Sequence, residues 1–69
     1  MGKYLRINYN EQEFQDLFVL DFEINKALNR LLYENLNERD IVFVRELSLD
    51  KIKSIEIYED GICKEIIDL

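Results

Sequence analysis

Few residues in this chain have the chemistry to make or break a bond. There is no histidine among its 69 residues. That removes the imidazole base that serves nucleophilic serine or cysteine at neutral pH, and the commonest zinc ligand with it. Ser48 and Ser54 have no evident activator. Cys63 is followed by Lys64, but consecutive strand residues point to opposite faces, so the lysine is badly placed to activate the thiol. Cys63 reads as a small apolar residue opposite Tyr58. Fifteen acidic residues guarantee that some carboxylates lie close together, so a pair of them carries little catalytic information. Gly2 is terminal and Gly61 sits in a turn signal, which leaves no phosphate-cradling glycine loop. No stretch follows the calcium-loop pattern of alternating oxygen ligands. The expectation is a protein that is not an enzyme, with no cofactor and no metal.

Binding chemistry is better represented. Arg6 lies between Tyr4 and Tyr9, a pattern seen on sheets that stack nucleic-acid bases. Nine scattered bases against fifteen acids, net charge −6, give no track for phosphates, so direct nucleic-acid binding is not expected. The acidity concentrates toward the C-terminus: residues 46–69 carry seven acids and three bases. Within it Glu56, Tyr58, Glu59, Asp60, Glu65 and Asp68 fall on two adjacent strands and their turn, and form the candidate partner-binding group. In an unbulged hairpin Glu56 and Glu65 face each other, a like-charge pair that calls for a cation. The expected partner is a protein with a basic surface, and the expected role that of a regulator or inhibitor. A sharper version is nucleic-acid mimicry, with carboxylates about 6.6 Å apart along a strand standing in for phosphates. Small acidic phage and mobile-element inhibitors use that logic; the likeness rests on size and charge alone. The competing expectation is a structural or assembly subunit whose acidic face is only solvated.

Those residues need elements to hold them. Residues 3–9 alternate as a strand. Asn10 followed by Glu13 has the form of a capping box, with Tyr9 and Phe14 placed as its hydrophobic staple. Phe14, Leu17, Phe18, Ile24, Leu28, Leu31, Leu32 and Leu36 then recur at helical spacing. One straight helix over 11–36 would be about 39 Å long, against about 23 Å for a seven-residue strand. The sequence therefore predicts a break near Asp21, or an overhang that packs on a second subunit. Leu20, Phe22, Ala27 and Tyr33 lie off the main helical stripe and form the candidate self-association face of a homodimer. Residues 37–40 read as a turn, 41–44 as a central strand buried on both faces, and 47–52 as a short connection. Residues 53–59 and 62–68 flank Asp60-Gly61, a two-residue hairpin signal. The tight turn gathers Ile55, Ile57, Ile62 and Ile66 on one face.

The expected fold is thus α+β, in the order β-α-(α)-β-β-β, with a helix or broken helix on one face of a small, mostly antiparallel sheet. One domain over 1–69 is expected, in which about 60% of the unfolded surface is buried. The 48% apolar content supports a core and argues against disorder. A single cysteine rules out an intrachain disulfide, and with no export signal or long apolar run the expected setting is cytoplasmic, away from membranes.

Overall fold

Asn10 does cap a local structure, but it is a turn. Its Oδ1 accepts the backbone N–H groups of Gln12 (2.8 Å) and Glu13 (2.9 Å). The Glu13 backbone carbonyl, rather than its carboxylate, takes the N–H groups of Tyr9 (2.9 Å) and Asn10 (3.4 Å). The side chain of asparagine can close an Asx turn as readily as it caps a helix, and here the turn wins. The computed structural model describes residues 2–69, and among them there is no helix. Seven strands take its place: β1 (Lys3–Asn8), β2 (Phe14–Val19), β3 (Asp21–Asn25), β4 (Arg30–Leu36), β5 (Val42–Ser48), β6 (Ser54–Glu59) and β7 (Ile62–Asp68).

The α+β expectation is therefore overturned: the protein is all-β, in two antiparallel sheets. The predicted helix, broken or not, divides among β2, β3 and β4, and Asp21 opens a strand instead of breaking a helix. Its apolar residues fall on both faces of these strands instead of along one helical stripe. Phe14, Asp16 and Phe18 share one face of β2, and Leu31 and Tyr33 one face of β4. The Asn and Asp residues then decide where the chain folds back. Asn25 Oδ1 accepts the Leu28 N–H (3.0 Å), and Asn29 adopts φ 57°. Asn37 Oδ1 accepts from Arg39 and Ile41, and Asp40 has φ 57°. Asn and Asp enter this left-handed region at lower cost than other side chains, which suits them to tight reversals.

The chain divides into two compact units, Met1–Phe18 with Lys51–Leu69, and Val19–Asp50. The first holds a four-stranded sheet in the order β2-β1-β6-β7. Leu5 pairs with Ile57 and Ile7 with Ile55, and all four side chains are buried, joined by Ile52 ahead of β6. The second holds the sheet β3-β4-β5, with Leu31 and Tyr33 buried on β4 and Val19 and Leu49 buried beyond its strands. Residues 41–44 do not form a central, doubly buried strand. Ile41 precedes β5 and residues 42–44 begin it; β5 is an outer strand of this sheet, and Val42 and Val44 are exposed.

The final hairpin keeps the predicted two-residue turn. Asp60 and Gly61 both take positive φ (53° and 81°), and Glu59 pairs with Ile62 and Tyr58 with Cys63. One step further the register shifts. Ile57 pairs with Glu65, Glu56 with Ile66 and Ile55 with Ile67, so the strand absorbs one extra residue at Lys64. This bulge undoes the four-isoleucine face: Ile67, not Ile66, lies opposite Ile55 in the core. It also separates Glu56 from Glu65, which fall on opposite faces.

Candidate functional site

The alternation that buries Leu5, Ile7, Ile55 and Ile57 points their neighbours to the other face of the four-stranded sheet. There Tyr4 pairs with Tyr58, Arg6 with Glu56 and Asn8 with Ser54. Cys63, Ile66 and Asp68 of β7 stand opposite Tyr58, Glu56 and Ser54. β2 adds Phe14, Asp16 and Phe18, which reach this face through contacts with Arg6 and Tyr4.

These side chains form an ordered array. The rings of Tyr4 and Tyr58 stack with centroids 4.7 Å apart and planes 1° from parallel. Phe18 tilts against Tyr4 at 5.6 Å. The Arg6 guanidinium lies 4.5 Å from the Phe14 ring centroid and 5.5 Å from that of Tyr58, within cation–π range of both. Although Arg6 pairs across the strands with Glu56, its fork engages Asp16: Nε to Oδ1 at 2.9 Å and Nη2 to Oδ2 at 3.2 Å. Such a two-pronged contact fixes the plane of the guanidinium as well as its position.

Glu56 is held by neutral donors. Asn8 Nδ2 donates to its Oε2 (2.7 Å) and to Ser54 Oγ (3.1 Å), while the Tyr58 hydroxyl donates to Oε1 (2.7 Å). The Asn8 bond, then the Tyr58 bond, keeps the Glu56 carboxyl below its ordinary range, with a smaller contribution from Arg6. The same bond pushes the Tyr58 phenol up to about 12, because ionising it would set two negative groups against each other. Asp16 holds the Arg6 proton more firmly than usual. Arg6 and Asp16 largely cancel, leaving Glu56 as a fixed negative charge among aromatic rings.

Of the six residues expected to bind a partner, Glu56, Tyr58 and Asp68 share this face. Glu59 approaches Lys3 at 3.9 Å, Asp60 belongs to the turn, and Glu65 lies on the opposite face. The row of carboxylates that a phosphate mimic needs is not formed. The self-association group loses the helical stripe that defined it. Phe22 stands opposite the buried Tyr33, Leu20 lies between β2 and β3, and Ala27 sits in the β3–β4 turn. Phe14, Asp16, Phe18 and Ile66 are the site residues that a helical assignment and an unbulged hairpin conceal. The alternation Phe14-x-Asp16-x-Phe18 was the signal for the first three.

On the second unit, a shallow open groove of about 320 Å³ is lined by residues including Asp21, Glu23, Glu34, Leu32 and Val44. Among the described residues, no group of acids and cysteine is arranged to hold a metal ion, and no helix is long and apolar enough to cross a membrane. Comparison with protein-family models, curated proteins and solved structures found no match to this chain.

Proposed function

We propose that this protein is a small, acidic, non-enzymatic binding module that regulates or inhibits a protein partner by docking the outer face of its four-stranded sheet onto it. One observation carries the proposal. Phe14, Phe18 and Ile66 are 56%, 72% and 60% exposed on a face whose remaining aromatics are locked in place. Scattered exposed apolar residues need no explanation, but exposed apolar side chains on both flanks of a stacked aromatic pair have the make-up of an interface centre. Tyr, Phe and Arg are the residue types enriched at such centres, and immobilised rings lose little entropy on binding.

Charge selects the occupant: a protein surface that presents lysine or arginine among apolar side chains. The chain carries net charge −6, the Arg6 cation is answered by Asp16, and Glu56 is held ionised at the middle of the face. A carboxylate accepting two hydrogen bonds retains lone pairs for an incoming cation. The apolar stem of a lysine suits the rings beside it.

The test uses a defined probe, an extended peptide of alternating lysine and leucine, titrated into the isotope-labelled protein. Amide shifts are expected at Tyr4, Phe14, Phe18, Glu56, Tyr58 and Ile66, with affinity at least tenfold weaker for Phe18→Ser combined with Glu56→Gln. A peptide with glutamate in place of lysine should not bind. Equal binding of both peptides, or shifts confined to the other sheet, would rule the face out.

A further inference from the structure

Two sheets leave four outer strands, and three of them are protected against pairing with another chain. β7 is bulged against β6 and carries Lys64-Glu65 at its middle. β2 has Asp16 at its centre, and the five-residue β3 holds Asp21 and Glu23. Charges, bulges and short length are the usual devices that keep a sheet edge from recruiting a neighbour. β5 also carries charges, Arg45-Glu46 at its middle, but it is neither bulged nor short and its first half is apolar. It is seven residues long, pairs with β4 without a register break, and opens Val42-Phe43-Val44 directly after Ile41. Ile41, Val42 and Val44 are 55%, 51% and 64% exposed.

We propose that β5 is a homodimer edge: β5 of a second copy pairs with it antiparallel, with the two-fold axis at Val44. The occupant follows from the sequence of the strand itself. A two-fold axis perpendicular to a continuous sheet places each residue opposite one of the same face, so the axis must pass through a residue position. At Arg45 it would set guanidinium against guanidinium. At Phe43 it would set Glu46 against Asp40. At Val44 no like charges stand directly opposite each other. Val44 then faces its own counterpart, Val42 faces Glu46 of the partner subunit, and Phe43 faces Arg45 of the partner subunit. The last pairing matches a preference already displayed within one chain, where the Arg45 guanidinium lies 4.8 Å from the Phe43 ring centroid. Symmetry supplies that pair twice. The product is a six-stranded sheet whose centre covers the apolar half of β5. An interface made chiefly by one strand is small, so the dimer is expected to be weak and concentration-dependent. This inference uses the unit that the proposed docking face does not, so either can fail alone.

Two experiments on the full chain test it. Sedimentation velocity from low micromolar to millimolar protein should show wild type passing from monomer to dimer. Val44→Lys, which sets two lysines against each other at the axis, should stay monomeric, while Ile66→Lys on the docking face should dimerise as wild type does. Cysteine crosslinking then reads the register. In a Cys63→Ser background, Val44→Cys should form a disulfide-linked dimer under mild oxidation, because directly opposed strand residues have Cα atoms about 4.5–5.5 Å apart, within disulfide reach. Glu46→Cys, whose opposite residue is Val42 of the partner subunit, should crosslink far more slowly. Monomeric wild type at the highest concentration, an unaltered Val44→Lys dimer, or faster crosslinking at position 46 than at 44 would each overturn the proposal.

Discussion

The bulge at Lys64 can be tested by comparing two adjacent isoleucines. Ile66 lies opposite Glu56 on the outer face and is exposed, whereas Ile67 lies opposite the fully buried Ile55. Without the bulge their roles would be exchanged. Full burial of an isoleucine side chain is worth about 1.5–3 kcal/mol. Ile67 is mostly covered, so Ile67→Ser should cost about 2 kcal/mol, counting both lost transfer energy and incomplete collapse of the space left behind. Ile66 is 60% exposed, so Ile66→Ser should cost less than about 1 kcal/mol on the same scale. The change in strand preference is common to both variants and drops out of their difference. Urea unfolding followed by circular dichroism gives the comparison directly. With a slope near 1 kcal/mol per molar for a chain this small, Ile67→Ser should lower the midpoint by about 2 M. By melting temperature, each kcal/mol should appear as a fall of about 4–8 °C. A larger loss for Ile66→Ser than for Ile67→Ser would mean that the strand is not shifted, and the composition of the outer face would change with it.

Two further outcomes follow from local geometry. Ultraviolet titration of the phenolate band should show one tyrosine ionising near pH 12, and Glu56→Gln should return it toward the ordinary value of 10.0. Because the folded value lies above the unfolded one, the stabilisation from this bond is complete below pH 10 and is lost as pH rises toward 12. The depressed Glu56 carboxyl acts at the other limit, its contribution being present above pH 4.5 and lost as pH falls below that. Absence of a tyrosine ionising near pH 12 would contradict the Tyr58–Glu56 bond. At the hairpin turn a Cβ on Gly61 would meet nothing within 4 Å, so Gly61→Ala should carry only the backbone penalty of its φ of 81°, about 1–2 kcal/mol, with Gly61→Asn milder. Equal stability of Gly61→Ala and wild type in urea would argue against the positive-φ turn.

Several elements were legible because their signals were local. The strand over residues 3–9 alternates plainly, and Asp60-Gly61 names its own turn. The stretch over residues 11–36 was not legible, because Phe14, Leu17, Phe18, Leu28, Leu31 and Leu32 recur at helical spacing although they fall on both faces of β2 and β4 and in the turn before β4. The tie-breaker lay in Asn25 and Asn29, which reverse the chain where a helix would have run on. Half of the candidate site was accessible in outline: Glu56, Tyr58 and Asp68 were singled out as binding residues. Their neighbours from β2 were hidden by the helical assignment, and Ile66 by a bulge that leaves no mark in composition.

The sequence by itself determined residue chemistry and local reversals. Missing histidine, a single thiol, excess carboxylate and Asn or Asp at the corners are properties of single residues or short windows. Only the tertiary structure decided which strands lie side by side, and therefore that Asp16 rather than Glu56 receives the Arg6 fork. Strand pairing joins residues far apart in the chain. A shift of one position sends every following side chain to the other face, so the composition of a sheet surface is settled by the whole set of pairings and not by any segment alone.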